Sequence, residues 1–467
     1  MRNFIAEMHR TEYYPPRQKV LFTNEGATMA SSEPRSAIEA ATMRRVSFRL
    51  VPFLMICYFL AFLDRVNAGF AALQMNKAIG LSHAVFGIGG GLFFISYIFC
   101  EIPSNLALEK FGARIWIARI MITWGMISGC MAFIVGPYSF YLTRFLLGAA
   151  EAGFFPGAIL YLTYWFPAEY RGRIVAIFMM AIPMSSFLGS PISAALLSTR
   201  GLGLQGWQWL FILEAVPAVL FGLLTLFWLP NRPADAKWLN GEQRQWLIQR
   251  LESEHHQVKA VAHMPLWKVL TNKYVLVLAI VYGGSSAISN VLSLWQPQII
   301  KSFGTSNIQT GLLNSIPFGL ASVAMILWGR RSDRSGERVW NTALPMALCA
   351  VSLGSTLLTR SLVVTMVLLS LTLIGNYAIK GPFWALSTDW LSKDTAAAGI
   401  AQINTVAHIA TFAATSLLGV IRDATGSFPL ALLPLTLLAT VASISIVLIS
   451  RSRPKAMAMA ARASAGK

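Results

Sequence analysis

Uncharged apolar runs of about twenty residues recur from Val51 to Ile449, separated by shorter polar segments. Wound as a helix rising about 1.5 Å per residue, each run is long enough to cross a hydrocarbon layer about 30 Å thick. Hydrocarbon cannot satisfy bare backbone amides, so such runs must be helical. No ten-residue alternation of apolar and polar positions points to a β-barrel. The pattern predicts twelve spans: 48–72, 84–108, 115–135, 138–165, 174–198, 208–229, 274–300, 308–329, 340–359, 362–386, 397–421 and 428–450. The one long polar stretch, Pro230 to Asn272, lies between the sixth and seventh. Its Trp238-Leu-Asn-Gly-Glu-Gln243 segment reads as a short surface helix. The expected fold is an all-α membrane protein. It has a tail over 1–46, a six-helix bundle over 47–229, a central loop over 230–272, a second six-helix bundle over 273–450 and a tail over 451–467.

Composition sharpens this picture. Only 12% of the 467 residues are charged, against about 25% in a soluble domain. The formal charge of +18 first suggests a nucleic-acid partner, but its distribution argues otherwise. Of 38 Lys and Arg, 29 fall in the two tails and in alternate loops, counting Arg119 near the start of the third span. The intervening loops hold Lys77, Arg200, Lys301, Arg360 and Arg422. By the positive-inside rule both termini are cytoplasmic and the number of spans is even, in the cell inner membrane, with the bilayer itself as partner and no nucleic acid. The first 46 residues are polar and mixed in charge, which argues against a cleavable signal. Cys57, Cys100, Cys130 and Cys349 each lie in an apolar run and form no CxxC pair, so neither disulfides nor zinc are indicated, and no cofactor. His255, His256 and His263 fall in one polar loop, where a solvated surface is the simpler reading than a metal site. An HExxH set, a nucleophile elbow and a phosphate loop are absent, which weighs against a membrane enzyme.

The two halves repeat. Asn105-Leu-Ala-Leu-Glu109-Lys110-Phe-Gly112-Ala-Arg114 follows the second span, and Gly329-Arg-Arg-Ser-Asp333-Arg334-Ser-Gly336-Glu-Arg338 follows the eighth. Glu109 and Asp333 are 224 positions apart, as are Gly112 and Gly336. The same loop at the same place in both halves indicates an internal repeat.

These residues resemble a known pattern. Gly329 to Arg338 matches the G-x-x-x-D-R-x-G motif of the major facilitator superfamily. Phe62-Leu-Asp-Arg-Val-Asn67, Ser96 to Asn105, Arg144 to Gly157, Trp165 to Arg173 and Gly381-Pro-Phe-Trp384 are similar to segments of its anion:cation symporter family. The resemblance implies two pseudo-repeat six-helix bundles with a site between them. It also implies a proton- or sodium-coupled carrier of small organic anions such as sugar acids, tartrate or aromatic carboxylates, working as a monomer. Uniport or export of the same anions and a transporter-like nutrient sensor are the competing readings.

Charged residues inside spans cost about 2.5–3.5 kcal/mol each at the bilayer centre, so they must face a cavity or pair. Asp64 and Arg65 in the first span and Arg144 and Glu151 in the fourth are the clearest. Arg144 and Glu151 are seven apart and share a helix face, with Gly148 between them allowing another helix close. The resemblance gives proton uptake to Asp64 and Glu151 and anion handling to Arg65 and Arg144. An anion that takes the Arg partner of a carboxylate would leave that carboxylate to accept a proton. Static ion pairs are the bland alternative. Tyr97, Trp384 and Asn404 match substrate-side positions of the family. Lys380 lies one turn before Trp384, beside Gly381-Pro382, and His408 one turn after Asn404. Glu101, expected at a helix end, and Glu214 read as structural. The motif loops (Glu109, Lys110, Gly112, Arg114; Gly329, Asp333, Arg334, Gly336, Arg338) read as gates, with Asp333 or Glu109 latching the inward side. Phe62, where sugar-acid members tend to have Tyr, tilts the substrate toward an aromatic or small dicarboxylic acid.

Overall fold

The computed structural model describes residues 32–257, 271–391 and 393–465. Twelve helices among them are long and apolar enough to span a membrane. In chain order they are Ala37–Ala78, His83–Phe111, Ala113–Phe133, Pro137–Thr163, Ala168–Leu196, Gly206–Trp228, Lys273–Lys301, Asn307–Ser335, Val339–Leu358, Leu362–Trp390, Ala398–Thr425 and Phe428–Arg451. They are called the first to twelfth spans below. No β-strand occurs among the described residues.

Several helices outrun the apolar windows that announced them. The first helix runs from Ser32 to Ala78, because Met43 and Val46 bury against neighbouring elements and Tyr170 donates its hydroxyl to Glu39 at 2.9 Å. Packing against protein thus carries the helix past the point where lipid ceases to demand it. The second span continues to Phe111, so Glu101 lies in mid-helix and not at a helix end.

The repeat seen in the loops extends to whole helices. The second and eighth spans are both 29 residues long, and His83 and Asn307 are 224 apart, as are Phe111 and Ser335. Each starts on a serine N-cap, Ser82 or Ser306, whose side chain accepts a backbone N–H. Each stops at a glycine with positive φ, Gly112 at 87° and Gly336 at 65°. Local chemistry therefore fixes both ends of both copies in the same way.

The halves meet through glycines. A Cβ at Gly69 would overlap the Leu294 carbonyl, and one at Gly311 would overlap Ala194. Gly87 and Gly91 of the second span sit against Thr415 and Phe412 of the eleventh. Small residues let backbones approach where lipid supplies no hydrophobic drive for helix association. These contacts lie at the end of the molecule away from the chain termini. There Asp423 accepts hydrogen bonds from the backbone N–H groups of His83 (3.1 Å) and Ala84 (2.7 Å), and it pairs with the His83 ring at 2.9 Å. At the other end the surface helix Gly241–Gln257 docks on the first half through Arg171–Glu254 (3.1 Å) and Arg250–Glu169 (2.9 Å). His263 lies outside the described residues, as do the side chains of His255 and His256.

Candidate functional site

Among the interrupted spans, which include the fifth at Met180, the fourth and tenth hold corresponding places in the halves. The fourth divides into Pro137–Glu151 and Phe154–Thr163, and the tenth into Leu362–Ala378 and Lys380–Trp390. The first break is forced by Gly153, whose φ of 90° suits glycine and whose missing Cβ makes room for Ser104. The second precedes Gly381-Pro382, and Pro382 has no N–H for the carbonyl one turn back. Interrupted helices in matching positions of repeated halves are the strongest pointer to a transport site. Glu151 is the last residue before one break and Lys380 the first after the other.

Glu151 is 3% exposed, and its carboxylate stands at the negative end of a half-helix. A buried anion there needs a cation. Arg65 supplies it, with Nη2 donating to Glu151 Oε1 at 2.5 Å. The other terminal nitrogen, Nη1, donates to Asn290 Oδ1 of the seventh span at 3.4 Å, which ties the pair to the opposite half. The Arg65 guanidinium lies 4.5 Å from the Phe62 ring centre and 5.1 Å from that of Phe93. Arg144 shares Phe93, at 5.2 Å, and is 4% exposed. It forms no ion pair among the described residues, and its Nε is buried without a hydrogen-bond partner. Gly148, between Arg144 and Glu151, lies against the Phe93 carbonyl, so the spacing in the fourth span does admit a close neighbour, the second span.

Asp64 makes its hydrogen bonds elsewhere, although it precedes Arg65. It faces into the first bundle, where Ser128 Oγ (2.7 Å) and Asn67 Nδ2 (3.0 Å) donate to its Oδ1. On the other half, His408 lies with its ring centre 4.8 Å from that of Tyr97 and 5.9 Å from that of Phe94. Its Nδ1 is buried without a hydrogen-bond partner among the described residues. Asn404 is half-buried one turn earlier on the same helix. Lys380 is 8% exposed, with Nζ 5.3 Å from the ring centre of Tyr282. Tyr282 stacks on Phe383 at 5.2 Å and meets Trp384 edge-on at 5.0 Å. Tyr282 and Asn290 are eight residues apart on the seventh span, so the Lys380 cage lies roughly 12 Å along that helix from the Arg65 contact.

The geometry therefore groups Arg65, Glu151 and Arg144 at the seam, sets Tyr97 and His408 across it, and places Lys380 with Trp384 in a separate aromatic cage. Sequence reasoning missed Asn290 and Tyr282. A signal was present, because Ser285, Ser286, Ser289, Asn290 and Ser293 make the seventh span unusually polar for a membrane helix.

The motif loops sit at the end that carries the termini. Asp333 pairs with Arg338 of its own loop at 2.9 Å, and Arg338 also donates to Ser332 at 2.8 Å. Arg334, Glu109, Lys110 and Arg114 are exposed, and Glu109 forms no ion pair among the described residues. Gly329 has open space around it, whereas Gly112 lies against Asn231, whose Oδ1 accepts from the Arg114 N–H at 3.0 Å. In this arrangement neither loop reaches across to latch the halves.

Comparison with known proteins places this geometry in context. The family model described as Major Facilitator Superfamily matches residues 54–415. Two Agrobacterium vitis proteins provisionally named tartrate transporters are 48% and 49% identical over 90% of this chain, covering 94% and 97% of their own lengths. A Pseudomonas putida protein, provisionally named metabolite transport protein NicT, is 40% identical over 83% of this chain and 89% of its own. Among solved structures, a D-xylose-proton symporter aligns with a TM-score of 0.68 at 17% identity, over 85% of this chain and 97% of that one. At that identity the likeness speaks to the fold alone.

Proposed function

Because the chain belongs to the Major Facilitator Superfamily and is a multi-pass membrane transporter, we propose that it takes up a small organic dicarboxylate by symport with protons. The names borne by its relatives make a tartrate-like acid the first candidate. The observation that carries this reading is the contrast between two guanidiniums on one ring, Arg65 half-buried and Arg144 buried. Arg65 is held by Glu151, and Arg144 beside it forms no ion pair among the described residues. An incoming carboxylate meets Arg144 first, then competes for Arg65. Glu151, stripped of its partner in a dry interior, takes up a proton, since an uncompensated buried charge costs about 3–5 kcal/mol. Anion and proton are thereby loaded together. The tie from Arg65 to Asn290 makes the exchange felt by the second half. In this reading Asp64 is a further proton carrier, while Tyr97, Asn404, His408, Lys380 and Trp384 contribute to the substrate chamber. The motif loops close the cytoplasmic side in the outward-open state. The protein works as a monomer in the inner membrane with both termini in the cytoplasm.

The test is uptake of radiolabelled acids into proteoliposomes under an imposed inward proton gradient. Tartrate is expected to accumulate against its gradient in the wild type. Glu151→Gln is expected to exchange tartrate across the membrane at a measurable rate yet fail to accumulate it. Equilibration without accumulation in the wild type would mean uniport. Accumulation at the wild-type level in Glu151→Gln would remove the proton role of that residue.

A further inference from the structure

A second pair of acids lies inside the first bundle, away from Glu151. Glu214 of the sixth span is 4% exposed and Asp64 of the first span 3%. Ser193 Oγ of the fifth span donates to Glu214 Oε1 at 2.7 Å, as Ser128 and Asn67 do to Asp64 Oδ1. One oxygen of each carboxyl is thus satisfied. The other oxygen of each, Asp64 Oδ2 and Glu214 Oε2, is buried with no hydrogen-bond partner among the described residues, and so are Asn67 Oδ1 and the indole N–H of Trp124, which lies near Asp64. Glu214 is near enough to Asp64 for their charges to repel, and it lies beside Asn67. Neither acid forms an ion pair among the described residues. The other charged groups that act on the pair are Glu151 and Arg144 of the fourth span, and both bear on Asp64.

Two neighbouring carboxylates with no cation bonded to either raise each other's proton affinity in a dry interior, so the closed-off pair holds a proton and gives it up only when water reaches it. Two orphan oxygens can be satisfied together by a single proton, which makes one of them a donor and leaves the other an acceptor. We propose that Asp64 and Glu214 bind a coupled proton jointly, as an O–H···O bond between Asp64 Oδ2 and Glu214 Oε2. Loading adds one proton and takes the pair from two negative charges to one, and release reverses this. The inference rests on the reading of Asp64 as a proton carrier and adds Glu214 as its partner. The pair also has a mechanical outlet. Ser190, one turn before Ser193 on the same helix, accepts a hydrogen bond from Asn314 of the second half at 2.8 Å.

The measurement is the dependence of gradient-driven uptake on external pH in proteoliposomes. Glu214→Gln removes one negative charge and offers an amide N–H to the ionised form of Asp64. The half-maximal pH is therefore expected to move acid by about one pH unit or more, with substrate exchange retained. Glu214→Asp, which keeps the carboxyl, is expected to restore most of the profile. Ser193→Ala removes a donor to the ionised form and is expected to move the midpoint alkaline, and it tests the same idea should Glu214→Gln fail to reach the membrane. A role limited to packing would lower the rate and leave the midpoint in place. Unmoved midpoints in both Glu214→Gln and Ser193→Ala would overturn the pairing. Uptake driven by sodium in place of protons would overturn it as well. Wild-type accumulation and pH profile in Asp64→Asn would instead overturn the parent reading of Asp64, a result separable from either outcome at Glu214.

Discussion

Arg65 and Arg144 stand over the same phenyl ring but differ in their partners. Arg65 uses two separate nitrogens, one for Glu151 and one for Asn290. Lysine has a single ammonium on a flexible stem and cannot hold both in fixed directions. Arg65→Lys is therefore expected to weaken tartrate binding about tenfold, read by calorimetry on detergent-purified protein. Equal affinity would show that the fork of Arg65 does not clamp the anion. Lys380 poses the complementary question in the second half. Its ammonium faces the Tyr282 ring and forms no ion pair among the described residues. The Lys380 cage lies roughly 12 Å along the seventh span from the Arg65 contact, so a short dicarboxylate held by Arg144 would meet Lys380 only once the halves close around it. Lys380→Met is then expected to raise the half-saturation constant about tenfold for dicarboxylates, with a smaller effect on monocarboxylates. An equal effect on both classes, or none, would remove Lys380 from the substrate.

Among the helices, the second and eleventh carry the closure. Gly87 and Gly91 bring the two backbones together, and the Asp423 carboxylate caps the start of a helix in the opposite half. A carboxylate at a helix N-terminus meets free N–H groups and the positive end of the macrodipole. The clasp is partly solvent-exposed, so salt and water moderate its strength. Asp423→Asn keeps the shape and loses the charge. It is expected to favour the state open at this end. In a cysteine-free background carrying Leu294→Cys, an impermeant thiol reagent added from that side should then label several-fold faster than without the substitution. Unchanged labelling would show that glycine packing alone holds the closure.

At the scale of the whole molecule, the repeat organises everything else. Matching caps set the second and eighth spans at the same offset, and matching breaks in the fourth and tenth present Glu151 and Lys380 toward the middle. In this structure the halves are joined at the end away from the termini, while the motif loops at the other end pair within themselves or stand exposed. That is one of the two arrangements a rocking carrier requires. The reverse arrangement would bring Asp333 and its basic neighbours across to the other half.

Much of this architecture was legible beforehand, because lipid imposes a simple rule on a chain. A span must be apolar, about twenty residues long and helical, so twelve runs announced twelve helices. The cost of burying charge likewise marked Asp64, Arg65, Arg144, Glu151 and Lys380 as residues needing a partner or a cavity. Which partner each one has depends on neighbours distant in the chain. Asp64 and Arg65 are adjacent, yet successive helical side chains point about 100° apart. One therefore turns to Ser128 inside its bundle and the other to Glu151 and Asn290 at the seam. Glu214 carried the same mark as a charge inside a predicted span, but only the packing of the first, third, fifth and sixth spans brought it within electrostatic reach of Asp64. Local sequence determined the helices, since each satisfies its own backbone. The pairing of charges was decided by tertiary structure, since it depends on how those helices are rotated against one another.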